Sequence, residues 1–137
     1  MGLILDSSVL IAAERRKQSV SDLLLSVTET TGFGAIMLSA VGVIELEHGY
    51  WRANTPELAA RRRAWLDEVL TTLPVEPFTK EMGQLAARID AEARKSGKTI
   101  PFADLQIGVT ALHFGFAIGT RNVRHFAMIP DLEVKQL

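Results

Sequence analysis

The chain has 137 residues, of which 47% are hydrophobic and 23% charged, and its formal net charge is −1. This composition excludes a disordered chain and suits a single domain over residues 1–137 that buries roughly two-thirds of its unfolded surface. No global basic field announces a nucleic-acid partner, so such a partner would have to meet local patches, and the absence of cysteine excludes disulfides and Cys-based zinc sites.

In chain order, Gly2 to Leu5 is a short apolar run of the kind that forms a fully buried parallel strand. Ser7 or Ser8 is expected to cap a helix running through Val9, Leu10, Ala12 and Ala13 to the basic cluster Arg15, Arg16 and Lys17, whose charges complement the helix dipole. A second helix, about Val20 to Val27, follows. Gly32 and Gly34 then break the chain before a strand over Ala35 to Leu38. Ser39 reads as the cap of a helix carrying Val43, Ile44 and Leu46 and ending near Gly49. Thr55-Pro56-Glu57 opens another, with a cap, a proline at the first helical position and an acid in the first turn. Pro74 and Pro77 confine Leu73 to Pro77 to an edge or a strand end.

Thr79 starts a long helix in which Met82, Leu85, Ala86, Ile89 and Ala93 follow helical spacing up to Gly97. A further helix begins near Asp104, with Ile107, Ala111 and Leu112 inward. Phe116 to Gly119 and Leu132 to Gln136 are the last two strands, the second at an edge. Strands alternating with helices predict an α/β fold with a central, mostly parallel sheet of four to five strands flanked by helices. No apolar stretch approaches the ~20 residues that span a bilayer, and Met1 to Leu5 shows no signal-peptide pattern. A cytoplasmic protein is therefore expected.

Four polar residues fall where a strand hands over to a helix or inside a helix's opening turns: Asp6, Glu45, Asp104 and Asn122. In an open α/β sheet such positions gather in the crevice outside the carboxyl ends of the strands. Carboxylates gathered there repel one another, at roughly 4 kcal/mol for a pair 4 Å apart in an effective dielectric near 20. A divalent cation removes that cost, and Mg²⁺ suits oxygen ligands combined with substrate phosphate. Each residue also has a plainer reading: Asp6 as a helix cap, Glu45 as a solvated helix residue, Asp104 as a dipole-favoured acid and Asn122 as a turn residue. Glu47 lies roughly 200° around the helix from Glu45, so only one of the two can share the inward face. Ser8 is close enough to bond a carboxylate, and Arg121 and Arg124 are the cations nearest the expected crevice. His48, His113 and His125 lack metal-ligand spacing, and the runs Arg15 to Lys17 and Arg61 to Arg63 read first as solvated faces.

The segments Leu-Asp-Ser-Ser-Val-Leu-Ile at the start, Glu-Leu-x-x-Gly from Glu45, Asp-Leu-Gln-Ile-Gly from Asp104 and Thr-Arg-Asn-Val-Arg-His-Phe near the end resemble, in this order, the PIN-domain family and within it the VapC-type ribonuclease toxins. That resemblance covers essentially the whole chain. It implies a PIN-like three-layer fold and an endoribonuclease dependent on Mg²⁺ or Mn²⁺. It also implies a homodimer neutralised by a small VapB-type antitoxin, with tRNA or rRNA as substrate. Asp6, Glu45 and Asp104 would be the metal-binding acids, Asn122 a fourth member of the catalytic set, and Ser8, Arg121 and Arg124 supports for the site or for substrate phosphate. The family often carries a further acid at the place of Asn122 or His125, and this chain has none there. That departure motivates the alternative of a PIN-like module that binds RNA or antitoxin with little or no cleavage. A response-regulator receiver or a haloacid-dehalogenase-type phosphatase would need acids where Ser7 and Ser8 stand.

Overall fold

The computed structural model describes residues 1–137. Five strands, β1 (Gly2–Leu5), β2 (Ala35–Ser39), β3 (Val75–Glu76), β4 (Ala117–Thr120) and β5 (Val134–Gln136), form one sheet in the order β3-β2-β1-β4-β5. Every pairing is parallel, so the expected mostly parallel sheet is wholly so. Seven helices accompany it: α1 (Ser7–Arg15), α2 (Val20–Thr31), α3 (Ala40–Trp51), α4 (Pro56–Thr72), α5 (Lys80–Lys95), α6 (Phe102–Phe114) and α7 (Val123–Phe126). None is long and apolar enough to cross a membrane.

The two faces of the sheet are read directly from β1. Leu3 and Leu5 join one apolar cluster with Leu10 of α1, Leu23 of α2 and Leu66 and Val69 of α4. Ile4, between them, points the other way and joins Met82 and Ile89 of α5, Ile107 of α6 and Phe126 of α7. Period-two alternation in a strand buried on both faces accounts for an apolar run with no polar interruption. Each such side chain contributes on the order of 2 kcal/mol by leaving water.

The order places β1 at the centre. The chain moves outward from it on one side to β2 and β3, then returns on the other side to β4 and β5. The direction of winding reverses between β1 and β4, and the crevice outside their carboxyl ends is the switch point.

Local differences from expectation have local causes. The first helix is entered from Asp6, whose backbone is extended (φ −70°, ψ 147°), and Ser7 and Ser8 lie inside it. Asp6 N–H still donates to Gly119 O at 2.9 Å, prolonging the β1–β4 ladder by one residue. The third helix passes Gly49 and stops at Trp51, and β4 runs to Thr120, one residue further than expected. The four-residue α7 has no signal in the sequence, being too short to display a period. Pro74 and Pro77 hold β3 to two residues.

Candidate metal centre at the β1–β4 switch point

Three elements deliver three carboxylates to this crevice. Asp6 follows β1, Glu45 lies midway along α3, and Asp104 sits in the first turn of α6. One oxygen from each falls within 4.8 Å of the other two. Asp6 is 1% exposed and Asp104 9%. None of the three is paired with a lysine or arginine.

Their neighbours are hydroxyls and one imidazole. Asp6 occupies the cap position of α1, yet its side chain caps nothing. Its Oδ2 instead accepts from Ser8 Oγ at 2.6 Å and from Thr120 Oγ1 at 2.9 Å. The backbone N–H of Arg121 donates to Ser8 Oγ and that of Asn122 to Thr120 Oγ1, tying both hydroxyls to the chain leaving β4. Asp104 Oδ2 lies 2.6 Å from His125 Nδ1 on α7. Glu45 Oε1 is buried with no hydrogen-bond partner at all.

The electrostatics follow from this arrangement. Burial raises the pKa of Glu45 above the usual glutamate value, Asp6 and Asp104 raise it further, and the nearby Ser7 hydroxyl pulls the other way. Burial likewise raises Asp104, with Asp6 adding to the effect and His125 opposing it. Desolvation and like charge act together, as they do wherever carboxylates share one site.

Convergent hard oxygen donors, an orphaned buried carboxylate oxygen and two carboxyls held above their usual range fit a divalent cation. Asp6, Glu45 and Asp104 could hold it.

Of the residues singled out in the sequence, Asp6, Glu45, Asp104 and Ser8 come together here. Asn122 stands apart: its side chain is exposed, and only its backbone enters the hydrogen-bond network. It borders a shallow depression beside Ser8 that Arg15, Arg16 and Arg121 also line. Arg124 is exposed and His113 stacks edge-on against Phe114, away from the acids. Arg61, Arg62 and Arg63 are engaged within the fold, the first two with Glu14 and the third with Glu47 and Asp67. Thr120 and His125 were not picked out by sequence reasoning. A threonine closing an apolar strand opposite Asp6 was a usable signal for the first; for the second, the family resemblance marked the position as one that often carries an acid, but the histidine lacked metal-ligand spacing.

A groove of ≈ 230 Å³ between α1, α3 and α4 opens at Glu45, with Ile11, Leu46, Trp65 and Leu66 as its apolar lining and Arg15 and Arg62 among its polar residues.

A parallel sheet reversing at β1, with a carboxylate triad at its switch point, defines a class of α/β protein, and residues 3–131 match the PIN domain. The chain belongs to the PIN-domain family. Within that family it is similar to proteins named as VapC ribonucleases. It is 32% identical over 134 residues to Ribonuclease VapC1 of Rickettsia felis, covering 98% of this chain and 95% of that protein. It is 30% identical over 131 residues to Ribonuclease VapC10 of Mycobacterium tuberculosis, covering 96% and 90%. In fold it resembles a chain of the VapBC2 structure from Rickettsia felis bound to a DNA fragment from their promoter. There the TM-score is 0.84 at 20% identity, over 100% of this chain and 99% of that one.

Proposed function

We propose that the chain is an endoribonuclease toxin of the VapC type, a single PIN domain over residues 1–137 that hydrolyses RNA phosphodiester bonds with a divalent cation. The observation that carries this reading is the convergence of Asp6, Glu45 and Asp104 within 4.8 Å, with Glu45 Oε1 buried and unpartnered. Relatives named as ribonucleases, aligned along nearly the whole chain, support it.

Asp6, Glu45 and Asp104 would hold Mg²⁺ or Mn²⁺. Bound there, the cation supplies Lewis-acid stabilisation of the charge that develops on the phosphodiester. The chain's own residues do the positioning. Ser8 and Thr120 fix the Asp6 carboxylate through its Oδ2. Arg121, with Arg15 and Arg16 around the adjoining depression, binds substrate phosphate, and Asn122 contributes there as a polar contact. Arg124, exposed one turn further on, is a second cation for the same strand.

The protein acts in the cytoplasm as a homodimer, on tRNA or rRNA, and a VapB-type antitoxin neutralises it. An antitoxin helix suits the groove lined by Ile11, Leu46, Trp65 and Leu66, from which an antitoxin arginine would reach Glu45.

The test is to incubate antitoxin-free protein with total RNA in Mg²⁺, Mn²⁺ or EDTA, beside Asp6→Ala. Discrete cleavage that needs the metal and vanishes in the variant is the expected result. Tight RNA binding with no cleavage in either metal would instead establish the non-cleaving module.

A further inference from the structure

Each acid of the triad has at least one oxygen without a hydrogen-bond partner. Asp6 Oδ2 is taken by two hydroxyl donors, leaving Oδ1, and Glu45 Oε1 has no partner. Asp104 Oδ2 is taken by His125 Nδ1 at 2.6 Å, leaving Oδ1. At that separation a proton lies between the two atoms, and an ionised carboxylate has none to give. The imidazole Nδ1–H is therefore the donor to the ionised carboxylate.

The arrangement is built from below. α7 is only four residues long, yet Phe126 within it is fully buried and Ile129 just beyond is 2% exposed. Both pack over Gly108, one turn along α6 from Asp104. A Cβ at Gly108 would lie 3.2 Å from Phe126 Cδ1 and closer still to Ile129 Cδ1. Glycine there is what lets α7 approach α6 closely enough for the imidazole to reach the carboxylate.

We propose that His125 is a positioning residue for the cation site, holding Asp104 through Oδ2 so that a single oxygen of this carboxylate is offered to the metal. The proposal rests on the divalent-cation reading of the triad. Hydrogen-bonded partners of metal ligands orient them, and their loss typically costs about 10- to 100-fold in affinity.

The experiment measures Mn²⁺ binding by electron paramagnetic resonance, on antitoxin-free protein without RNA, at one fixed pH. His125→Phe keeps a ring over α6 and removes the donor, whereas His125→Asn keeps an N–H near the position of Nδ1 and gives up the ring. The expected result is about 10-fold weaker Mn²⁺ binding for His125→Phe and affinity within about 2-fold of the parent for His125→Asn. A merely structural role predicts the reverse ranking, because Asn forfeits more packing than Phe. Unchanged affinity in a folded His125→Phe protein, or failure of Asn to restore it, overturns the assignment. Asp104→Ala serves as the control: if it binds Mn²⁺ as the parent does, the cation reading itself fails, whatever His125 does.

Discussion

Glu45 and Glu47 stand two residues apart on α3 and meet opposite fates. Glu47 accepts from Arg63 through both of its oxygens, at 2.8 and 3.1 Å, and Arg63 also reaches Asp67 on its own helix. Glu14, buried on α1, is likewise met by Arg61 and Arg62. Glu45, on the other side of α3, faces Asp6 and Asp104 and has an oxygen with no partner. The arginines of α4 thus pair with Glu47 and Glu14, and none pairs with Glu45. Acids neutralised within the chain stabilise it modestly, whereas acids left together raise one another's pKa and wait for a charge from outside.

The contrast can be broken most severely at the unneutralised group. Asp6→Ala or Asp104→Ala should lower RNA cleavage by at least about 10²-fold, the order of loss for one electrostatic stabiliser, with circular dichroism unchanged. Chelation by EDTA should match these variants and restored metal should reverse it.

Stability comes next. Because folding raises the pKa of Glu45 and Asp104, the native state holds protons that the unfolded chain has released. Their contribution is fully present below their ordinary values near 4.5 and 3.8 and is lost as pH rises through the raised values. Metal-free protein should accordingly lose melting temperature, relative to Glu45→Gln, between pH 4 and pH 8. At pH 7.5 in EDTA the variant should melt about 3 °C higher than the parent. Added Mn²⁺ should invert the ranking, and its stabilising effect should grow with pH, since the cation binds the deprotonated acids. A Glu45→Gln protein that melts no higher in EDTA would mean the unpaired oxygen carries no cost.

The smallest effect belongs to the neutralised side. Arg63→Ala leaves Glu47 in a solvated position and should change stability by about 0.5 kcal/mol in denaturant titration, with cleavage unaltered. A large loss of cleavage from Arg63→Ala would dissolve the distinction between the two sides of α3.

Much of this was legible along the chain. The apolar run before Asp6 marked β1, the cap and proline at Thr55-Pro56 marked α4, and the angle between Glu45 and Glu47 predicted that only one would turn inward. Asp104 in an opening turn was equally plain. What stayed hidden depends on distance in sequence. Thr120 reaches Asp6 from 114 positions away, and His125 reaches Asp104 from 21 away by way of a helix too short to show periodicity. Asn122 lies at the expected strand end, with its side chain exposed and its backbone N–H donating to Thr120 Oγ1, a division of roles that a sequence does not display. Ser7 and Ser8 looked like caps because serine favours that place. The cap went to Asp6 because its N–H was already committed to Gly119 in the sheet.

The late return of the chain from β3 across the sheet to β4, beside β1, has a bearing on synthesis. A ribosome adds roughly 5–20 residues each second, so Asp6 and Glu45 emerge well before the segment that carries Thr120 and His125, and Asp104 shortly before it. Until Thr120 and His125 clear the exit tunnel, Asp6 lacks one of its two hydroxyl donors and Asp104 lacks its imidazole. A nascent chain that has not yet placed that segment therefore carries its acids in an incomplete site. The site is completed only when the segment carrying Thr120 and His125 has joined the fold, so its order of assembly follows the order of the chain.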